Sequence, residues 1–216
     1  MKSVRWSHSH TIVVALPHPA LPPTHFKTTF RLKMGAGTGA DGLSFSYGDI
    51  SSAPIGELGG GRGLRVCLRT YMDERVEVWH DEKLLHVSSN ESIFAWPSGH
   101  SLRSSQFVDV TVQYTSDGLT VAHKGVTHVD RLVIDAWQPR LGWRFAIGAR
   151  AGGLSDDHHI DDLVIEAGAA ISPEASPLAI TLNGLQFTPS EQPFVYGLES
   201  AEAAGASVDR VGIIDS

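Results

Sequence analysis

The 216-residue sequence predicts an all-β domain, a sandwich or barrel of many short strands. Three observations carry this. Successive runs alternate large apolar with small or polar side chains at period two, the signature of a strand with two different faces. Turns rich in glycine and aspartate separate these runs, and the chain holds 22 glycines. Before residue 168 no stretch shows the apolar stripe of a helix.

The elements follow in order. Phe26–Lys33 puts Phe26, Thr28, Phe30 and Leu32 on one face. Met34–Asp41 is a loop whose three glycines imply positive φ or close backbone approach. Gly42–Tyr47 is the next strand, and Asp49–Gly63 is a long loop carrying Gly59-Gly60-Gly61. A loop of that length in a compact domain is functional or disordered. Strands are then expected at Gly63–Tyr71, Val76–Trp79 and Leu84–Val87, the last two joined by the turn His80–Lys83. Phe107–Tyr114 and Leu119–His123 flank a Ser116-Asp117-Gly118 hairpin signal, and Gly125 turns the chain into Val126–Ile134. Trp143–Ile147, a glycine-bracketed connection and His158–Glu166 close the domain.

The ends read differently. Residues 1–23 are expected to be a leader without packed structure. Their prolines and histidines oppose an element, and the apolar run Thr11–Leu16 is short for a signal peptide. Residues 24–168 form the predicted domain, and 169–177 has a linker's composition. Residues 178–216 are a short C-terminal extension: Leu178–Thr188 reads as a hairpin about Asn183-Gly184, and little order is expected from Gly197 on.

Composition narrows function. A net charge of −7 argues against a nucleic-acid partner, because no basic patch offsets phosphate repulsion. No segment approaches the length that inserts in a membrane. A single cysteine, Cys67, allows no internal disulfide and is expected to act as a small buried hydrophobe.

Gly39–Phe45, the glycine loop before Gly63–Val66, the pair Thr70-Tyr71, and Gly148–Gly153 followed by Asp157–Asp162 together resemble the concanavalin A-like, L-type lectin superfamily, in its bacterial and microbial-eukaryote form. The resemblance covers about residues 24–168 and implies an antiparallel two-sheet jelly-roll β-sandwich. Thr181–Thr188 is similar to the lead-in of an IPT/TIG repeat. In such lectins the aspartate of the Ala-Asp-Gly loop accepts hydrogen bonds from sugar hydroxyls, a role that falls here on Asp41. An ionised carboxylate suits it, since charge-assisted bonds are stronger than neutral ones. The alternative is that Asp41 only stabilises a turn. Gly60 and Gly61 match the loop that offers backbone N–H groups to the same sugar, against an alternative of plain loop flexibility.

The resemblance also implies calcium beside the sugar, held in part by an aspartate just before the Thr-Tyr pair. That position is Arg69, and a guanidinium repels a hard cation. The usual metal site is therefore expected to be degenerate, with no cofactor or at most weakly held calcium, and Arg69 is a candidate to replace the ion by pairing with Asp41 or Asp73. The Asp156–Asp162 run is expected to be structural, because adjacent His158 and His159 point to opposite faces of a strand.

Among sandwich relatives, β-glucanases need a Glu-x-Asp-x-x-Glu strand to set carboxylates across a sugar, and no such strand is present. The expectation is a non-catalytic carbohydrate-binding module of a secreted or cell-surface protein, with glycans or glycoproteins as partners. The alternative is a degenerate lectin fold serving as a structural or protein-interaction module. Trp79, Trp96 and Trp137 are candidate stacking platforms for a sugar ring, Trp96 the best exposed of them by its loop setting, against the alternative that a tryptophan in a sandwich is more often core.

Overall fold

The computed structural model describes residues 10–14, 22–50, 55–89, 96–151, 153–154, 156–168, 178–182 and 211–215. Thirteen strands are formed by these residues: β1 His10–Val14, β2 His25–Gly35, β3 Gly42–Asp49, β4 Arg62–Arg69, β5 Arg75–His80, β6 Lys83–Ser89, β7 Ser104–Thr115, β8 Gly118–His123, β9 Val126–Leu132, β10 Arg144–Arg150, β11 Asp157–Gly168, β12 Leu178–Leu182 and β13 Val211–Asp215. No helix occurs among the described residues. None is therefore long and apolar enough to cross a membrane.

The strands make two antiparallel sheets. The larger has the order β13-β1-β10-β3-β4-β5-β6, and the smaller β12-β11-β2-β7-β8-β9. The architecture is the jelly-roll sandwich expected. Alternation decides which side chains meet between the sheets. Phe26, Phe30 and Leu32 of β2 and Val110, Val112 and Tyr114 of β7 face Leu43, Phe45 and Tyr47 of β3 and Leu64, Val66 and Leu68 of β4. Tyr47 stacks on Phe145 at 4.3 Å, and Phe26 meets the same ring edge-on at 5.3 Å. The Tyr47 hydroxyl donates to the carbonyl of Pro23 at 2.9 Å, so this buried phenol has a partner.

Cys67 faces away from that core yet is wholly buried, and burial pushes its thiol up to about 12. It is an inert apolar filler. His10–Val14, within the segment read as an unpacked leader, is a strand paired with β10 along its full length. The prolines that argued against an element, Pro17, Pro19, Pro22 and Pro23, all follow this strand and leave its ladder intact. Leu178–Leu182 pairs with β11. Residues 183–188, the remainder of the predicted hairpin, and residues 197–210 lie outside the described residues, whereas Val211–Asp215, where the sequence predicts little order, is a strand paired with β1.

The Asp49–Gly63 loop folds back over β3. Ile50 and Ile55 pack with Ala146 as a second small core on the outer face of the large sheet. Ser44 donates to the carbonyl of Gly56 at 2.6 Å beneath this cover. That is why seven consecutive residues of β3 are buried, on both faces rather than one.

Candidate functional site

Asp41 stands at the entry to β3, where Gly42 pairs with Arg69 of β4 and Arg150 of β10. Its backbone is clamped on both sides. The amide donates to the carbonyl of Arg150 at 2.9 Å, and its carbonyl accepts from Thr70 at 3.0 Å and Tyr71 at 3.4 Å. The Ala40–Asp41 peptide is cis. Gly42 is needed here: its φ of +138° lies outside the usual range of L-residues, and a Cβ would run into the Leu68 carbonyl. The Asp41 carboxylate lies 3.6 Å from Nε of Arg150, whose Nη1 is 3.9 Å from Glu57 in the tip of the folded-back loop. Tyr71 and Met72 are exposed beside this clamp. The result is a carboxylate carried on a fixed backbone, with a cation at its flank and an apolar rim.

Of the three residues predicted as one sugar site, Gly61 lies toward the far end of β3 from Asp41. Gly56 and Gly59, which bracket the loop tip, bridge to each other, and Gly59 lies against Ser46. Gly61 lies against the backbone of Asp49, with φ +73°. Asp49 is eight residues along β3 from Asp41, roughly 25 Å in an extended strand. Gly60 follows the same return path, its α-carbon packed on Ile55. Gly60 and Gly61 let the loop lie flat on β3, and Glu57 is the loop residue that reaches toward Asp41.

The expected pairing of Arg69 with Asp41 or Asp73 is corrected. Arg69 instead meets Glu77 at 3.3 Å, diagonally across β4 and β5, where Cys67 is the residue opposite Glu77. Arg75 binds the same oxygen at 2.6 Å, and the Trp79 indole donates to the other at 3.0 Å. Alternation explains the choice, since Arg69 and Glu77 share the outer face of the sheet. Burial alone would raise the Glu77 carboxyl; the bonds from Trp79 and Arg75 and the nearby Arg69 charge outweigh it and hold the group below its usual range.

Calcium does not fit these residues. Glu77 is saturated by two guanidinium groups and an indole, and Glu74 accepts from the Ser101 hydroxyl at 2.8 Å and the Leu102 amide at 2.6 Å. Among the described residues no three acidic or imidazole side chains gather beside Asp41. A hard cation that takes six to eight oxygens has no ready cage there.

Asp156 is buried and forked by Arg103, Nε to Oδ2 at 2.7 Å and Nη2 to Oδ1 at 3.0 Å. It also accepts from the Gly37 amide at 2.9 Å, while Arg103 donates to the Gly37 carbonyl at 2.9 Å. The pair pins the glycine loop that leads into Asp41. His158 is buried and its neighbour His159 turns to the other face, as a strand requires.

The tryptophans are occupied internally. Trp96 is only 6% exposed and donates to Ser88 at 2.8 Å, correcting the expectation that its loop setting leaves it free. Trp79 lies under Arg65, with 5.3 Å from the guanidinium carbon to the ring. Trp137 stacks on Tyr114 at 4.2 Å and donates to Thr24. A polar cleft of about 640 Å³ runs past Asp49, Arg62, His80, Asp135 and Trp143, at the end of β3 away from Asp41.

Neither a family model nor a curated protein sequence matches this chain. Solved structures do share its fold. The crystal structure of the VIP36 exoplasmic/lumenal domain in its Ca2+/Man-bound form superposes with a TM-score of 0.50 at 15% identity, covering 83% of this chain and 82% of that one. The Ca2+/Man3GlcNAc-bound form gives 0.52 at 18%, covering 80% and 84%. The fold of this chain is therefore L-type lectin-like. At such identity the likeness reaches the fold and stops there.

Proposed function

We propose that the chain is a non-catalytic carbohydrate-binding module that takes glycans or glycoproteins at Asp41 without a calcium ion, in a secreted, luminal or cell-surface protein. The observation that carries this reading is the clamped Asp41, its backbone held at both its amide and its carbonyl while its side chain remains 19% exposed. A carboxylate whose backbone is already held before binding loses less entropy when it accepts two sugar hydroxyls. Arg150 supplies a donor beside it, and Tyr71 offers an apolar edge for a pyranose face. In this reading Arg150 and the Arg69–Glu77 pair hold the local backbone where an ion would otherwise do so. The fold neighbours are captured with mannose and with Man3GlcNAc, which makes mannose-bearing glycans the first ligands to try.

A second reading, a lectin fold retained as a protein-interaction module, is favoured by the Arg150 contact, which competes with a ligand for Asp41. The IPT/TIG-like character of residues 181–188 belongs to the proposal as well, beside a sandwich whose sheets extend past the expected limits of 24 and 168 to β1 and β12. The test is a glycan array on the full chain, with and without chelator. Binding that survives the chelator and disappears in Asp41→Asn supports the module. A folded protein silent on the array supports the second reading.

A further inference from the structure

Far from Asp41, the two sheets meet at the edge strands β6 and β9, where His86 of β6 contacts the carbonyl of His128 at 3.1 Å. Behind that contact lie three imidazoles. His123 ends β8, His128 belongs to β9, and His100 comes from the segment that precedes β7. One ring nitrogen from each can be chosen so that all three lie within 4.8 Å of one another. His123 is wholly buried and His128 is 4% exposed.

The backbone builds this grouping. Lys124-Gly125 turns β8 into β9, with positive φ at both residues. The register then shifts between the Val121–Val129 and Ala122–Thr127 pairs, a bulge that leaves His128 without a partner. Regular alternation would send His128 and Val129 to opposite faces. The bulge turns both inward, and both are buried. Trp96 walls the cluster, its ring edge-on to His128 at 4.8 Å and to His100 at 5.2 Å.

What sets the cluster apart is its hydrogen bonding. Both ring nitrogens of His123, both of His128 and Nε2 of His100 are buried without a hydrogen-bond partner. A neutral imidazole always carries one donor and one acceptor, so buried rings normally find partners for both. Three such rings converging in one place are short of something at their centre. We propose that His100, His123 and His128 bind a zinc ion that ties the segment 96–103 to the β8–β9 hairpin.

The chemistry fits. Imidazole is a preferred zinc ligand, and three histidines leave a fourth position for water. Zinc at about 2.1 Å from each nitrogen needs the nitrogens about 3.4 Å apart, so separations of up to 4.8 Å must close by as much as about 1.4 Å. His100 is the ring with freedom to do so, being only partly buried and carried by a loop. No carboxylate joins the set, which suits zinc and excludes calcium or magnesium.

The test is metal uptake by the full chain, measured by elemental analysis after exposure to zinc and gel filtration, with no glycan present. One zinc per chain is expected, retained in a His8→Ala, His10→Ala, His18→Ala variant and lost in His123→Phe, His128→Phe and His100→Ala. The aromatic replacements keep the packing against Trp96. A cobalt-loaded wild-type chain, which needs no variant to fold, should show the intense visible absorption of a four-coordinate site. A folded wild-type chain that takes up no zinc overturns the proposal, as does uptake that persists in the triple His100, His123, His128 variant. Because none of these readouts involves sugar, they stand or fall independently of Asp41.

Discussion

The segment 96–103 is anchored at its two ends by opposite kinds of buried polar cluster. At its end, Arg103 forks Asp156, both share the backbone of Gly37, and Ser101 and Leu102 donate to Glu74. Every charged group there has its complement. At its start, Trp96 and His100 lie on His123 and His128, whose ring nitrogens have none. A buried polar group costs stability unless it is bonded. The first cluster is therefore complete as a piece of structure, and the second is complete only with a ligand. Burial of polar side chains by itself separates neither case; the pairing of each atom does.

Breaking the complete cluster should have the largest effect. Asp156→Ala leaves Arg103 and the Gly37 amide without their acceptor and should cost about 3 kcal/mol, as removal of one partner of a buried ion pair does. Urea denaturation measures it. The double variant Asp156→Leu, Arg103→Met should recover part of the loss, because no charge is then stranded. Equal losses in the single and double variants would mean that the pair acts only by packing.

The Glu77 cluster offers a second complete network, and its charge makes it pH-dependent. Glu77→Gln should cost about 2 kcal/mol at neutral pH, the scale of bonds to a charged group. The folded carboxyl is held below its ordinary value of 4.5. Its contribution is then full above that value and is lost as pH falls through the lower folded value. Denaturation midpoints followed downward from pH 5 should fall more gently in Glu77→Gln than in the parent chain. Parallel curves would show that the two arginines do not distinguish the charged from the neutral form.

The incomplete cluster should respond with the opposite sign. In metal-free protein His123→Phe removes two unpaired nitrogens and keeps an aromatic ring, so it should be neutral or stabilising by about 1 kcal/mol. With zinc present the order should reverse, because only the parent chain gains binding energy. Thermal melts with and without zinc test the reversal. If His123→Phe destabilises the metal-free chain, the imidazoles have partners after all and the contrast between the two clusters disappears.

The contrast also marks what could be read from sequence. Strands such as Phe26–Lys33 and Phe107–Tyr114 were legible because each buries one face at a strict period of two. His10–Val14 was not, since five residues beside prolines show no alternation that outweighs the breakers. For Trp96 the sequence leaves core and exposed readings both open, because a loop has no period from which to infer burial. Period two opposes the histidine cluster outright: it places His128 and Val129 on different faces, and only the bulge brings both inward. The short His123–His128 spacing across Lys124-Gly125 was the one available hint. Asp41 is singled out by its Ala-Asp-Gly context, but the separation of Gly61 from it depends on how the loop returns over β3. Non-local packing of this kind leaves no local pattern.

Asp41 should give the smallest change in stability and the clearest change in function. Its partner Arg150 is 53% exposed and sits 3.6 Å away, so the pair is screened by water and worth about 0.5 kcal/mol or less. Its structural bonds are made by the backbone and survive Asp41→Asn. The variant should therefore unfold at nearly the parental urea concentration while its glycan binding falls at least tenfold, because an amide replaces one charged acceptor oxygen by a donor. Arg150→Met is the companion. If Arg150 orients the carboxylate, or itself donates to the sugar, binding should drop with it. If Arg150 merely occupies Asp41 in the free protein, binding should tighten, and a rise in glycan affinity would identify the salt bridge as a competitor that a ligand must displace.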